Sequence, residues 1–166
     1  MTESTRVRSV ATLPCAAVLL CAAALLAGCS SEPASRSSTA VPHEEVLQAG
    51  DATIRATVMQ TAALGEAVAA QYGIERDEGT VMLLVGVRKG PPAQEASVPV
   101  AVTATATDLR GNRHTIPMRE LHAGDLVDHV GTVQVDLPET LAFDLDIRRE
   151  GAPPARMQFS RDFSAR

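Results

Sequence analysis

Apolar and polar side chains alternate along most of the chain after residue 50. In residues 52–60, Ile54, Ala56 and Val58 share one face. The same alternation recurs in residues 98–106, 141–147 and 157–163, whereas residues 81–87 are apolar on both sides, and residues 113–120 and 127–137 fill the remaining strand slots. A period of two with many β-branched residues is typical of strands, and turns rich in Gly, Pro and Asp separate the segments. The pattern predicts an all-β fold, an immunoglobulin-like β-sandwich of about seven strands.

One segment departs from this alternation. Residues 64–72, LGEAVAAQY, have helix-forming composition and are followed by Gly73, a residue suited to ending a helix. Leu64, Val68 and Tyr72 are spaced four apart, so they are predicted to share one helix face. We expect this short helix to cap an end of the sandwich.

The N-terminus has the pattern of an export signal. Arg6 and Arg8 precede an uncharged apolar run over residues 11–26. A run of this length with these flanks is typical of a secretory signal and too short for a membrane-spanning helix. Residues 26–29, LAGC, resemble the lipobox of bacterial lipoprotein precursors. The alternative is an ordinary signal that contains a cysteine by chance.

The lipobox resemblance implies that residues 1–28 are a signal peptide and that Cys29 becomes the acylated N-terminus, carrying chains such as palmitate. Two or three acyl chains hold a protein stably on a membrane. Ser30 follows the cysteine, and in Gram-negative lipoproteins a residue other than Asp there directs sorting to the outer membrane. We therefore expect a lipid-anchored protein on the periplasmic face of the outer membrane.

The remaining chain divides into two parts. Residues 29–42 contain the cysteine and a Ser-, Pro- and Ala-rich stretch that cannot bury enough apolar surface to order itself, so a flexible tether is predicted. Residues 43–166 are long enough for one β-sandwich domain. The other two cysteines, Cys15 and Cys21, lie in the signal, so no disulfide is expected in the domain.

Composition excludes several kinds of partner. The formal net charge is −5 at pH 7, and no basic stripe interrupts the acidic sequence, which argues against nucleic acid. Aromatic residues make up 2% of the chain and tryptophan is absent. The domain therefore lacks the aromatic platforms that bind sugars, bases or haem.

Six segments resemble, in order, the pattern of the bacterial family called domain of unknown function 4426. They are AAQYGIER (69–76), ATDLRGN (106–112), PMREL (117–121), HVGTVQV (129–135), ETLAFDLDI (139–147) and FSRDF (159–163). The resemblance implies a small exported β-sandwich, often a lipoprotein, without an established activity. Two departures are Asp128 and His129, where the family pattern has an aromatic pair, and residues 58–61, where it has Tyr-Asn-Ala-Phe.

One polar cluster has metal-ligand chemistry. Its members are His122, Asp125, Asp128 and His129. Imidazole and carboxylate groups bind zinc and other divalent ions, but the spacing matches no known metal motif. Asp128 and His129 are also expected on opposite faces of a strand, so a polar turn leading into a strand is the favoured interpretation.

A copper site at His114 and Met118 is also disfavoured, because these residues lie roughly 13 Å apart along a single strand. Catalytic signatures are missing from the sequence: it has no Gly-x-Ser-x-Gly, and its only lysine is Lys89. Asp144 and Asp146 are expected on a solvent-facing strand surface, and Arg119 and Glu120 are expected to form a cross-strand ion pair.

These observations predict a protein without enzymatic activity or cofactor. The preferred hypothesis is an envelope lipoprotein, anchored through Cys29, whose domain acts as a binding or assembly module for another envelope protein. The alternative is a periplasmic small-ligand or metal-binding protein that uses residues 122–129.

Overall fold

The computed structural model describes residues 43–165, and these contain ten strands and one α-helix. In chain order the elements are β1 (His43–Ala49), β2 (Ala52–Gln60), α1 (Glu66–Tyr72), β3 (Thr80–Lys89), β4 (Ala96–Ser97), β5 (Ala101–Thr107), β6 (Arg113–Ile116), β7 (Arg119–Ala123), β8 (Leu126–Gln134), β9 (Glu139–Arg148) and β10 (Ala155–Phe163). The first sheet has the order β1-β2-β3-β8-β7, with β4 also paired to β3, and the second has the order β10-β9-β5-β6. The predicted all-β sandwich is confirmed.

The predicted number of about seven strands is too low. β1 was missed because it is an edge strand with charged residues and little buried surface. The two-residue strand β4 is too short to show a period. Residues 113–120 do not form one strand, since the chain leaves the second sheet after Ile116 and enters the first at Arg119. Pro117 lies in the break, where its missing N–H costs no ladder hydrogen bond.

The main core lies between the two sheets and consists of the alternating residues. Ile54, Ala56 and Val58 of β2 are at most 1% exposed, as their shared face predicted. On the second sheet, Phe143 is buried and stacks on Phe159 with ring centroids 5.1 Å apart. Aliphatic side chains fill most of the remaining core.

A second apolar cluster lies on the outer face of the first sheet, where α1 packs. β3 is apolar on both sides, so Met82 and Leu84 need a cover that the second sheet cannot supply. Leu64 and Ala69 provide it, and Leu121 and Val130 of the same sheet face complete the cluster. The helix therefore covers a sheet face. The expectation that it caps an end of the sandwich is wrong.

The predicted buried stripe of the helix is also partly wrong. Ala69 is the buried helical residue, whereas Val68 is 38% exposed. The helix ends at Gly73, which has a left-handed conformation with φ of 63°, as predicted.

The signal peptide of residues 1–28, the lipidation of Cys29 and the tether of residues 29–42 lie outside the described residues. Within residues 43–165, no helix is long and apolar enough to cross a membrane.

Candidate binding site

The change of sheet between β6 and β7 shapes one side of the molecule. As the chain crosses, it passes directly over Gly131 in β8. A Cβ atom at Gly131 would lie 2.7 Å from Ile116 Cγ2 and 2.8 Å from Met118 Sδ. Such approaches are shorter than van der Waals contact, so a glycine is required for the crossover to pack at this point.

The crossover leaves part of β8 without a neighbour. β7 pairs with β8 only as far as Arg119 opposite Val130. β3 continues to pair with β8 from Asp128 to Gln134. Residues 131–134 therefore have β3 on one side and, within the described part of the chain, no strand on the other.

The direction of the backbone groups follows from the register. The N–H of Val135 donates to the carbonyl of Gly79 at 2.8 Å, on the side of β3. Along a strand, successive N–H and C=O pairs point to opposite edges. The N–H and C=O groups of Thr132 and Gln134 therefore point toward the open edge.

A cleft of about 810 Å³ lies along this open edge. One wall is the segment that follows α1, residues 73–77, and the other is the crossover, residues 117–119. The floor includes Thr132 and Gln134 of β8. The cleft thus places two strand-edge residues between two walls of irregular chain.

The 73–77 wall is fastened to the body of the protein by a buried threonine. Thr61 is fully buried, and its hydroxyl donates to the carbonyl of Asp77 at 3.0 Å and accepts from the N–H of Asp77 at 2.9 Å. The N–H of Ala62 donates to the same carbonyl at 3.1 Å. Thr61 therefore holds the end of the 73–77 wall against the chain that follows β2.

Two arginines line the cleft without a carboxylate partner in the described residues. Arg76 donates to the carbonyl of Ala62 at 3.0 Å, and Arg119 donates to the carbonyl of Tyr72 at the end of α1. Neither takes part in an ion pair formed within residues 43–165. Each guanidinium has five N–H donors, so most of its donors remain available for a ligand.

Two carboxylates also line the cleft, those of Glu75 and Asp77. Asp77 accepts a hydrogen bond from the hydroxyl of Thr80 at 2.9 Å. The expected ion pair between Arg119 and Glu120 does not form, since Glu120 lies 3.4 Å from the imidazole of His122 and Arg119 turns toward the helix.

The candidate metal ligands His122, Asp125, Asp128 and His129 do not converge on one site. Asp128 forms an ion pair with Arg88, whose side chain is 9% exposed. Arg88 also donates to the carbonyl of Val127 at 3.0 Å, at the point where β4 separates β3 from β8. A Cβ atom on Gly86 would lie 2.8 Å from Asp128 Oδ1, so the glycine makes room for the ion pair. Asp128 therefore has a structural partner that the sequence analysis did not identify.

The two histidines of that cluster lie in different environments. The His122 side chain is 67% exposed at the sheet edge, whereas His129 is buried, 8% exposed, and lies on the strand face opposite Asp128. Asp125 is an exposed turn residue. Between residues 43 and 165, no group of three or more His, Cys, Asp or Glu side chains is arranged to hold a metal ion.

His114 and Met118 are separated by the break at Pro117 and do not share a strand, contrary to the sequence interpretation. His114 lies 3.7 Å from Asp108. Hydrogen bonds from Asn112 hold the pKa of Asp108 below its usual value, because they stabilise the charged carboxylate. Asp108 thus braces the β5–β6 turn.

The fold and this cleft define a class: a β-sandwich with an open strand edge recessed between two loops. The chain belongs to the family described as Domain of unknown function (DUF4426), whose model matches residues 46–165. No curated protein matches it.

Solved structures show the same fold. A DUF4426 family protein from Pseudomonas aeruginosa PAO1 is 22% identical, with a TM-score of 0.62 over 73% of this chain and 94% of that one. A copper-bound variant of FetP from uropathogenic Escherichia coli is 10% identical, with a TM-score of 0.52 over 74% of this chain and 95% of that one.

The cleft also gathers the sequence segments that resemble the family. Three of the six line it: residues 69–76 contribute one wall, residues 117–121 the other, and residues 129–135 the floor. These segments are far apart in the chain, and the fold brings them together at the open edge of β8. Sequence reasoning found the segments but had no means to place them side by side.

Proposed function

We propose that this protein is a non-enzymatic binding module of the bacterial envelope, anchored to the outer membrane through lipidated Cys29, and that another envelope protein docks in the cleft beside β8. The observation that carries the proposal is the meeting of three family-like segments at that cleft. Exposed strand edges and loops held on a rigid scaffold are common binding surfaces.

The contacts around the cleft favour binding over chemistry. Its polar groups are backbone amides, threonine hydroxyls, a glutamine, two guanidinium groups and the carboxylates of Glu75 and Asp77, which can recognise a ligand through hydrogen bonds. The imidazoles of residues 43–165 do not line it, and the chain's only lysine, Lys89, pairs with Asp51 at 2.7 Å. Covalent catalysis needs a nucleophile beside a base, and no serine or cysteine of residues 43–165 lines the cleft beside its two carboxylates.

Site-specific photocrosslinking in living cells tests the docking site. A photoreactive amino acid placed at Arg76 should yield a discrete crosslinked envelope protein. The same group at Gln158, on the outer face of the second sheet, serves as the matched control and should yield none. Equal adducts at both positions, or none at either, would count against the cleft as the docking site.

The anchor needs its own experiment. Mass spectrometry of the purified protein should find an acylated N-terminal Cys29, and Cys29→Ser should release the protein from the membrane fraction. A native N-terminus that begins at Met1, without lipid, would contradict the lipoprotein assignment.

A metal-binding function has less support. The copper reported for the FetP variant belongs to a protein that shares the fold at 10% identity, and His114, His122 and His129 do not converge here. Metal analysis of the wild type beside His122→Ala and His129→Ala distinguishes the two hypotheses. Stoichiometric metal that either substitution removes would favour metal binding.

A further inference from the structure

We infer that the cleft binds an extended peptide as an additional strand on β8, with an acidic side chain at the peptide residue opposite Thr132. The inference rests on the proposed function and specifies the chemistry of the partner. It follows from the unpaired strand edge, the register of the first sheet and the two guanidinium groups that line the cleft.

The open edge supplies the backbone half of the recognition. Thr132 and Gln134 each direct an N–H and a C=O toward the vacant side, and an extended peptide presents complementary groups at the same spacing. The adjoining part of the same edge already binds a strand, because Val130 pairs with Arg119 of β7. A peptide in the cleft would therefore continue the line of β7 beyond Arg119, where the chain arrives from the other sheet.

The register assigns the side chains of that peptide to faces. Residues directly opposite each other in a sheet share a face, so the peptide residue opposite Thr132 has its side chain on the outer face. Arg119, opposite Val130, lies on the same face one pleat away. A glutamate or aspartate at that peptide position thus lies beside a guanidinium that has no ion-pair partner in the described residues.

The cleft is lined by two guanidinium groups and two carboxylates, so its selectivity depends on which of them lies beside the peptide side chain. Asp77 is hydrogen-bonded to Thr80, while Arg76 and Arg119 keep most of their donors. Glu75 is the remaining carboxylate and lies on the 73–77 wall, whereas Arg119 lies on the opposite wall, which continues the line of β7. Arg119 is therefore the group expected to contribute most to acidic selectivity.

The test uses a blocked hexapeptide of alternating threonine and glutamate, in which every glutamate lies on one face whatever its register. The full chain is purified from host cells in detergent micelles, and amide hydrogen exchange is followed by mass spectrometry. At saturating peptide, exchange in the segment that contains Thr132 and Gln134 should slow by about tenfold or more, because newly formed hydrogen bonds protect amides. Matched peptides carry glutamine or lysine in place of glutamate.

Two substitutions separate the contributions of backbone hydrogen bonds and of side-chain contacts to peptide binding. Arg119→Gln should weaken binding of the glutamate peptide by about tenfold and leave the glutamine peptide unchanged, since a charge-assisted hydrogen bond is lost only in the first case. Thr132→Pro removes the open-edge N–H and should abolish protection by both peptides. A peptide that is N-methylated at alternate residues provides the same test without altering the protein.

Several results would overturn the inference. They are glutamate and lysine peptides that protect equally, protection that maps to β1 or β10, and N-methylated peptides that bind as well as unmodified ones. A photocrosslink at Arg76 combined with no protection by any peptide would leave the docking site standing and reject strand addition. Failure of both experiments would reject the proposed function itself.

Discussion

Removal of the Asp128 carboxylate should destabilise the protein strongly, because it leaves a buried cation without its partner. The Arg88 side chain is 9% exposed and that of Asp128 is 19% exposed. Breaking a buried ion pair on one side costs about 3–5 kcal/mol. Arg88 keeps its hydrogen bond to the carbonyl of Val127, and water reaches the Asp128 side, so we expect Asp128→Ala to cost about 3 kcal/mol, near the lower end of that range.

Urea unfolding measures this cost. The chain has no tryptophan and one tyrosine, so far-ultraviolet circular dichroism is a better probe than fluorescence. With a slope of about 2 kcal/mol per molar urea, a loss of about 3 kcal/mol lowers the midpoint by about 1.5 M. An unchanged slope of unfolding free energy against urea would show that the substitution leaves the surface area exposed on unfolding unaltered.

A matched control isolates the effect of partner burial. The Asp146 side chain is 20% exposed, nearly the same fraction as for Asp128, but its partners Arg148 and Arg156 are 71% and 78% exposed. Asp146→Ala should therefore cost less than about 1 kcal/mol, as is usual for a surface ion pair.

A second comparison separates the free energy of the lost ion pair from the cost of leaving the Arg88 charge buried without a partner. Replacing both partners, Arg88→Met with Asp128→Leu, removes both charges and should bring stability back to within about 1 kcal/mol of the wild type. A cost below 1 kcal/mol for Asp128→Ala, or a double variant as unstable as the single one, would refute the reasoning.

Three further substitutions test the elements that shape the cleft and the opposite end of the sandwich. Gly131→Ala should cost about 1–3 kcal/mol in urea unfolding, because its Cβ would overlap the crossover; an unchanged midpoint would mean that the crossover moves freely. Thr61→Val should cost about 1–3 kcal/mol by leaving the N–H of Asp77 without its acceptor, and hydrogen exchange in residues 73–77 should rise. Hydrogen bonds from Lys89 and Arg149 lower the pKa of Asp51 to about 2. The carboxylate of Asp51 therefore contributes its full stabilisation above its unfolded-state pKa and loses it as the pH falls toward 2. The melting temperatures of wild type and Asp51→Asn should converge between pH 5 and pH 2. A difference in melting temperature that stays constant over this range would contradict the assignment.

Periodicity predicted the core strands well where one face is buried and the other is polar. β2 occupies Ala52–Gln60 as predicted, and β9 buries its alternating apolar residues while Asp144 and Asp146 lie on the other face. These strands lie inside their sheets, so the pattern of the sequence and the pattern of burial coincide.

The parts that sequence missed depend on neighbours distant in the chain. The sequence of β3 is apolar on both sides, but nothing local showed that α1 would cover its outer face. The break at Pro117 became a change of sheet only because Gly131 lets the chain cross. Likewise, Asp128 has the chemistry of a metal ligand, and only the pairing of β3 with β8 reveals that Arg88 is its partner. The cleft is missed for the same reason, since its walls and floor come from three separate segments.

The position of β3 also affects how the chain reaches its native state. This strand is among the most apolar in the domain and is central to its sheet. The edge of β3 over Thr80–Gly86 nevertheless stays unpaired until β8, which follows β4 through β7, has been synthesised. During that interval an apolar edge is available to any other extended chain, which is the usual origin of misassembly in β proteins. A holding factor that shields nascent or translocating polypeptide would therefore raise the yield of this domain most when it covers residues 80–89.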